Sequence, residues 1–191
     1  MKLIVGLGNP GRIYIDSRHN IGFSVIKTLS RIYKIPLKKD SNTFSLSGKG
    51  IIENKNIILA QPLTFMNLSG IAVAALLKKY KIELGDLLVV CDDLDLEFGM
   101  LRIRPLGSSG GHKGLSSIIG YLGNQGFARL RIGIGRQGKA RQDAAEYVLS
   151  PFTKREKKEI EGIVEKACDC CGFWASCGIT ESMNVFNRRS N

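Results

Sequence analysis

The sequence predicts an α/β fold, a single-domain three-layer sandwich with a mixed, mostly parallel sheet and helices on both faces. Segments with strand-like and helix-like patterns alternate along the chain. The runs 3–5 and 87–91 are apolar throughout, which is typical of strands covered on both faces. The chain has 191 residues, of which 43% are hydrophobic, so one substantial core is expected. We expect residues 1–191 to form one domain, because no linker or internal repeat interrupts them.

The first half of the chain begins with a buried strand and a sharp loop. Pro10 lies in the Gly-Asn-Pro-Gly run, and proline fits neither the centre of a strand nor the interior of a helix. Beyond this loop, apolar residues recur at helical spacing from Ile21 to Ile32, and Asn9 or Asn20 could supply the N-cap. The segments expected in this half are strands at 2–7, 44–52 and 56–61, a turn at 53–55, and helices at 21–32 and 71–80.

The second half alternates in the same way and ends in a long charged helix. Leu101 and Ile103 alternate with Arg102 and Arg104, which predicts a half-exposed strand. The segments expected here are strands at 87–91, 100–104 and 130–134, a glycine-rich loop at 107–111 that leads into a helix through residue 121, and a helix at 154–174. The polar tail, residues 184–191, is expected to fray.

Four of the five cysteines lie close together near the carboxyl end of the chain, at positions 168, 170, 171 and 177. Their spacing is not that of a repeated Cys-x-x-Cys pair, and no histidine lies nearby. Small apolar thiols pack well in a helix, so we expect these cysteines to contribute to packing rather than to hold a metal.

The charge of the chain predicts a polyanionic partner. The net charge is +11 and the isoelectric point is about 9.6, which is typical of a domain that meets nucleic acid or a membrane surface. No stretch reaches the roughly 18 apolar residues that a membrane span needs. The first residues resemble a strand rather than a signal peptide, so we expect a cytoplasmic protein without a membrane partner.

The candidates for acid–base chemistry are few, because the chain has only two histidines, His19 and His112. Asp92 ends an apolar strand, where side chains open into the ligand crevice of an α/β sheet. Asn9 and His19 flank the loop after the first strand and could reach the same crevice. A carboxylate on one imidazole nitrogen leaves the other free to take a proton from water. The pattern favours hydrolysis by activated water, with neither metal nor cofactor, although Asp93 and Asp95 compete with Asp92.

Two short motifs suggest other chemistries but fit them poorly. Gly-x-Gly-x-x-Gly at 6–11 matches a dinucleotide fingerprint, yet Pro10 occupies the start of the helix that should bind the pyrophosphate. Gly-x-Ser-x-Gly at 107–111 matches a nucleophile elbow centred on Ser109. That fold needs an acid and then a histidine later in the chain, and here only His112 follows. A mobile gate or a nest of backbone N–H groups is a better interpretation of this loop.

Longer motifs, distributed over nearly the whole chain, resemble those of the bacterial peptidyl-tRNA hydrolases. In chain order they are Gly-Leu-Gly-Asn-Pro-Gly at 6–11, Tyr14 with Arg-His-Asn-Ile-Gly at 18–22, Gln-Pro-Leu-Thr-Phe-Met-Asn-Leu-Ser-Gly at 61–70, Asp92 with Leu-Asp-Leu at 94–96, Gly-Gly-His at 110–112, Arg-Leu-Arg-Ile-Gly-Ile-Gly at 129–135 and Met-Asn-Val-Phe-Asn at 183–187. The resemblance implies a monomeric enzyme with no obligate protein partner, which cleaves the ester between a peptide and the 3′ end of tRNA.

The resemblance also implies roles for individual residues. His19 would be the general base, Asp92 would support it, Asn9 would help select blocked aminoacyl groups, and Asn67 would position substrate and water. Tyr14 and Phe65 would contact the peptide or the acceptor stem and CCA end, and Arg104 and Arg131 would form a basic clamp for a tRNA phosphate. Lys113 stands where the family usually has asparagine; a lysine has only donors and a full charge, so it could reach a phosphate instead.

Two alternatives stay open from the sequence. The chain could be an RNA-binding module that has lost hydrolysis, although His19, Asp92, Asn9 and Asn67 are all present. It could also be a serine esterase built on Ser109. The net positive charge favours a nucleic-acid substrate, since a tRNA acceptor stem is recognised through its backbone and shape. We expect Arg102, together with the basic residues already named, to form the surface that meets it.

Overall fold

The computed structural model describes residues 1–135 and 144–187, and these contain seven strands in one sheet. The strands are β1 (Lys2–Gly6), β2 (Lys38–Asp40), β3 (Ser45–Ile52), β4 (Lys55–Pro62), β5 (Leu87–Asp93), β6 (Leu101–Arg104) and β7 (Ala128–Gly133). Their order in the sheet is β2-β3-β4-β1-β5-β7-β6. The four central strands run parallel, and antiparallel pairs flank them on both sides. The prediction of a mixed, mostly parallel α/β sheet is confirmed.

The helices cover both faces of the sheet. They are α1 (Ile21–Ile32), α2 (Ser69–Tyr80), α3 (Lys113–Leu122), α4 (Ala144–Leu149) and α5 (Lys154–Phe186). Helices α1 and α5 pack on one face, and α2 and α3 pack on the other, each with its own cluster of buried aliphatic side chains. None of the described helices is long and apolar enough to cross a membrane.

Helix α5 is longer than the sequence pattern predicts. A capping box starts it, in which Thr153 accepts from the N–H of Glu156 and the Glu156 carboxylate accepts from the N–H of Thr153. It continues past the expected end at residue 174, with a break at Gly178, where φ is 83°. Cys168, Cys170 and Cys171 are buried in it, and burial raises the pKa of the first two thiols to about 12.

The end of the described chain is held against the sheet rather than frayed. The side chain of Asn187 accepts from the N–H of Ile103 at 2.8 Å and donates to its carbonyl at 3.0 Å. These bonds occupy the main-chain N–H and carbonyl of Ile103 in edge strand β6. The expected fraying is therefore wrong for residues 184–187, while residues 188–191 lie outside the described part of the chain. Strand β2 and helix α4 were not expected from the sequence.

Helix α1 begins unusually close to the sheet, at a point that positions the segment just before it. A Cβ built on Gly22 would lie 2.5 Å from the nitrogen of Leu7 and 2.5 Å from the carbonyl oxygen of Val90. A Cβ on Gly6 would lie 2.0 Å from the carbonyl oxygen of Gly22. Only glycine allows this backbone-to-backbone contact, and it brings the 3₁₀ turn at Arg18–Asn20 over the ends of β1 and β5.

We predict opposite effects for two glycine-to-alanine substitutions in helices. Gly22→Ala should lower the free energy of unfolding by about 1–3 kcal/mol or more, because the new methyl group meets backbone atoms that cannot move aside. Gly162→Ala in α5 is the control, since no atom lies within 4 Å of its Cβ position. It should stabilise by about 0.5–1 kcal/mol through helix propensity. Chemical denaturation measures both; equal effects would contradict the close approach of α1.

Candidate functional site

A cleft of about 710 Å³ lies at the carboxyl ends of the central strands. This is the edge at which open α/β sheets bind ligands. Its walls come from the loop after β1, the 3₁₀ turn Met66–Leu68, the end of β5, the start of α3 and helix α4. The sequence-predicted residues that line it are Asn9, His19, Phe65, Asn67, Asp92, Lys113 and Arg131.

The two histidines of the chain meet at one carboxylate in this cleft. Nδ1 of His19 lies 2.8 Å from Oδ1 of Asp92, and Nε2 of His112 lies 3.1 Å from the same oxygen. The two rings are 4.9 Å apart between centroids and are tilted by 46°. The predicted meeting of His19 with Asp92 is therefore present in the structure. The contact of His112 with that carboxylate was not expected from the sequence.

Asp92 carries its charge in a nearly dry position, with 3% of its surface exposed. Burial alone would raise the pKa of its carboxyl group. The hydrogen bonds that His112 and His19 donate outweigh burial and hold the pKa of Asp92 well below its ordinary range. The carboxylate is therefore ionised at neutral pH, so Nδ1 of His19 bears the hydrogen of that contact. Nε2 of His19 has no hydrogen-bond partner among residues 1–135 and 144–187.

His112 is also the N-cap of helix α3. Its Nδ1 accepts from the N–H of Gly114 at 3.1 Å and from that of Leu115 at 3.3 Å. Histidine replaces the usual serine, threonine or aspartate in this position. His112 thereby anchors the start of α3 to the end of β5, because it bonds both the backbone of α3 and the carboxylate of Asp92.

His19, Asp92 and His112 also offer one ligand atom each within 4.8 Å of one another. Ligands of a tetrahedral zinc ion lie about 2.0–2.2 Å from the metal and hence roughly 3.3–3.5 Å apart. The two nitrogen–oxygen distances here, 2.8 and 3.1 Å, are shorter and share a single oxygen atom. This geometry fits hydrogen bonds better than a metal centre.

Asn9 is held so that only donors face the cleft. Its side-chain oxygen accepts from the N–H of Met66 at 2.8 Å. Its backbone N–H donates to the side-chain oxygen of Asn20 at 2.8 Å, and the amide of Asn20 donates back to the Asn9 carbonyl at 3.0 Å. Asn20 thus occupies the N-cap position of α1 without capping it. The amide nitrogen of Asn9 is left for a ligand.

The remaining predicted residues are distributed between the cleft and the surface around it. Phe65 and Asn67 are exposed at one wall. Lys113 is exposed at the first position of α3, without an ion-pair partner in the described part of the chain. Tyr14 lies in the 3₁₀ turn Arg12–Tyr14, half-buried, and is not among the residues that line the cleft.

Arginines lie opposite one another on the two strands at one edge of the sheet. Arg102 pairs with Arg131 across β6 and β7, and Arg104 pairs with Arg129. Opposite residues of an antiparallel pair share a face, so this face is strongly basic. Arg131 contacts Asp93 at 3.1 Å and donates to the carbonyl of Ser108. Arg102 and Arg104 are exposed.

Arg129 is fully buried and holds the glycine-rich loop in place. Its guanidinium donates to the carbonyls of Gly107, Ser108, Gln125 and Phe127. Ser109, the candidate nucleophile in this loop, lines the cleft. Both nitrogens of His112 already have other partners, and no hydrogen bond joins the hydroxyl of Ser109 to His19 in the described part of the chain, so neither imidazole is paired with Ser109. The geometry disfavours the serine esterase.

Arg18, next to His19, is a buried positioning residue that sequence reasoning missed. Its guanidinium donates to Oγ of Ser150 at 2.7 Å and to Glu156 at 2.7 Å, and also to the carbonyl of Pro151. It lies 4.4 Å from the ring centroid of Tyr147. These contacts tie the cleft wall formed by α4 to the turn that carries His19. No local sequence pattern predicts these contacts, because the partners of Arg18 lie more than 130 residues later in the chain.

The fold and cleft define a three-layer α/β protein with a ligand site at the carboxyl ends of its strands. The family model described as peptidyl-tRNA hydrolase matches residues 3–191. The chain belongs to the peptidyl-tRNA hydrolase family. It is 47% identical over 187 residues to a peptidyl-tRNA hydrolase of Desulforudis audaxviator, covering 98% of this chain and 93% of the relative. It is 46% identical to one of Syntrophomonas wolfei, covering 98% and 100%.

The same family contains a solved structure with this architecture. The crystal structure of peptidyl-tRNA hydrolase from Acinetobacter baumannii superimposes with a TM-score of 0.91 at 36% identity. The match covers 98% of this chain and 94% of that one. The expected family and fold class are therefore confirmed. Neither the family match nor the solved structure supports dinucleotide binding by the Gly-x-Gly-x-x-Gly motif.

We predict that Arg18→Lys destabilises the protein although it conserves the charge. Lysine cannot reproduce the planar fork or the stacking on Tyr147, so the free energy of unfolding should fall by about 1–3 kcal/mol. The control is Arg155→Lys, at a side chain that is 93% exposed, which should change it by less than about 0.5 kcal/mol. Urea denaturation measures both. A null effect at Arg18 would mean that this network does not hold α4.

Proposed function

We propose that the cleft hydrolyses the ester bond between a peptide, or another N-blocked aminoacyl group, and tRNA, and so releases free tRNA and peptide from prematurely released peptidyl-tRNA. Membership of the family supports the substrate. The observation that carries the mechanism is the buried contact of Asp92 with Nδ1 of His19, which leaves Nε2 of His19 without a partner in the described chain at the wall of the cleft.

In the proposed reaction, Nε2 of His19 accepts a proton from water while the water oxygen bonds to the ester carbonyl carbon. The ionised Asp92 stabilises the imidazolium that forms. The tetrahedral intermediate then breaks its bond to the ribose oxygen of tRNA, and the imidazolium returns the proton to that oxygen. The products are a carboxylic acid and a tRNA with a free hydroxyl group. General-base catalysis of this kind contributes about 10²–10⁴ in rate.

Asparagine amides are suited to the groups around the scissile bond. Asn67 is exposed in the cleft, so its amide can donate to the oxyanion or hold the attacking water. Asn9 presents an amide nitrogen, because its oxygen is engaged by Met66. A blocked aminoacyl group offers this donor a carbonyl oxygen, whereas a free aminoacyl group offers an ammonium, which is itself a donor. Asn9 would thereby favour peptidyl-tRNA over aminoacyl-tRNA.

The basic residues and the exposed aromatic ring would hold the tRNA. Arg104 and Arg131 lie on neighbouring strands and are suited to a phosphate of the acceptor stem. Lys113 lies closer to the site, at the wall of the cleft, and would meet a phosphate of the CCA end. Phe65 is 55% exposed and offers a face on which a terminal base can stack. Tyr14 would contact the acceptor end from outside the cleft.

We further propose that the chain acts as a monomer in the cytoplasm, as one domain over residues 1–191, without an obligate protein partner. All of the side chains invoked for chemistry come from one chain. No step of the proposed reaction uses a metal or a cofactor.

The function is tested by incubating the protein with N-acetylated and with free aminoacyl-tRNA. We predict rapid release of tRNA from the acetylated form alone. His19→Ala should lower kcat by about 10²–10⁴, since it removes the general base, while tRNA binding stays near the wild-type value and the protein remains folded. Asp92→Asn should slow the reaction with little change in tRNA affinity.

Two results would contradict this assignment. Binding of tRNA without cleavage by the wild type would favour an RNA-binding module. Full activity of His19→Ala would exclude His19 as the base.

We predict that Lys113 contributes to binding the negatively charged substrate rather than to the chemical step. Lys113→Asn should raise KM with little change in kcat, because it removes a cation near the single-stranded acceptor end. The slope of log(kcat/KM) against log[salt] should become shallower by about 0.7, the value for one phosphate contact in a single strand. Lys166→Asn on α5 is the control, since it changes the net charge equally away from the cleft. An identical slope change in the control would contradict a specific contact.

A further inference from the structure

The tautomer of His112 is fixed by the start of helix α3. Because Nδ1 accepts from two backbone N–H groups, it carries no hydrogen. In the neutral ring the hydrogen then lies on Nε2, which donates to Oδ1 of Asp92 at 3.1 Å. Protonating Nδ1 would displace both backbone donors and break the cap. The neutral tautomer with its hydrogen on Nε2 is therefore the form of His112 that satisfies both contacts, and 9% of the side chain is exposed.

The carboxylate that His112 contacts is also the one that supports His19. Both rings donate to the same oxygen, His19 at 2.8 Å and His112 at 3.1 Å. A hydrogen bond to a carboxylate stabilises its negative charge and lowers its attraction for other protons. The two donors therefore compete for one oxygen, and the donor from α3 reduces the support that Asp92 gives to a protonated His19.

We propose that His112 is a positioning residue that lowers the affinity of the His19–Asp92 pair for a proton. Helix α3 makes this effect possible because it fixes the tautomer of His112. His19 then stays unprotonated, and available as a base, to a lower pH than Asp92 alone would allow. The consequence for turnover rests on the proposed function, in which His19 is the base. The tautomer and the competition for Asp92 do not depend on it.

Other charged groups face the same region and stay unchanged in the test. Asp93 and Arg131, from β5 and β7, form an ion pair with each other at 3.1 Å. Asp95 follows β5 and lines the cleft, and Lys113 lies at the first position of α3. Helix α4, which packs against the turn of His19, carries Glu146, whose side chain is exposed.

Two substitutions at this position separate the contact with α3 from the contact with Asp92. In His112→Asn the side-chain oxygen lies near the place of Nδ1, so it keeps the cap but cannot reach Asp92. In His112→Gln the amide nitrogen lies near the place of Nε2, so it can donate to Asp92 while the cap is lost. Each of the two variants therefore serves as the matched control for the other.

The two variants are expected to differ in pH dependence, although each loses one hydrogen-bonded contact. The activity is measured as kcat/KM against pH with N-acetyl-aminoacyl-tRNA as substrate. In His112→Asn the midpoint of the acid limb of this profile should shift to higher pH by about 0.5–1 unit. The melting temperature of this variant should also fall, because Asp92 loses one of its two buried donors. His112→Gln should keep the limb near its wild-type position while the melting temperature falls by roughly 2–4 °C, as expected for a lost cap. An unmoved limb in His112→Asn, or equal shifts in both variants, would overturn the proposal.

Nitrogen-15 NMR of the imidazole rings gives a second readout that needs no substrate. The chain has only two histidines, so each variant retains a single ring signal set, that of His19. At pH 7 the wild type should show His112 with its hydrogen on Nε2, and His19 with its hydrogen on Nδ1. The titration midpoint of His19 should be higher in His112→Asn than in His112→Gln. A hydrogen on Nδ1 of His112, or equal midpoints, would overturn the proposal even if the wild type hydrolysed no tRNA ester.

Discussion

A buried negative charge at the end of β5 is the constraint around which the cleft is organised. Asp92 is almost completely removed from water, and an unpaired carboxylate there would cost several kcal/mol. The donors that offset this cost come from segments 73 residues earlier and 20 residues later in the chain. Satisfying one charge therefore brings the turn before α1 and the start of α3 to the same point, and this makes the cleft.

The approach of these segments depends on the packing beneath them. The parallel central strands place the ends of β1 and β5 side by side. Gly6 and Gly22 let helix α1 begin against the sheet, so the turn that carries His19 reaches the strand ends. Arg18 fixes the other side of that turn to α4 and α5. The turn that carries His19 is thus held by the backbone packing beneath it and by the contacts of the Arg18 guanidinium.

The sequence predicted the fold class and most elements because their signals are local. Apolar runs and helical spacing set the central strands and helices, and the alternation of Leu101 to Arg104 gave the half-exposed edge strand. Strand β2 has three charged residues, Lys38 to Asp40, and therefore no hydrophobic pattern to detect. Helix α4 is only six residues long. The end of α5 was missed because Gly178 interrupts its geometry while helical hydrogen bonding resumes beyond it.

The same distinction applies to the site. The meeting of His19 with Asp92 was predictable, since a strand end and the loop of a neighbouring strand open into one crevice. The position of His112 was harder, because histidine is an uncommon N-cap and its second contact is through space. The network of Arg18 depends entirely on residues distant in sequence. Local patterns thus predicted that His19 and Asp92 meet in one cleft, and only the folded chain shows which groups hold them in place.

The attachment of Asn187 to Ile103 has a consequence for the behaviour of whole molecules in concentrated solution. An edge strand with free main-chain groups can recruit the edge of another molecule and so extend a sheet between copies. One asparagine side chain occupies both the N–H and the carbonyl of Ile103, much as a neighbouring strand would. The opposite edge, β2, is short and presents two lysines, which repel a like-charged copy. Pairing with another copy is thereby disfavoured at Ile103 by Asn187 and at β2 by charge repulsion, so the residue that follows the last helix also shields part of an edge strand.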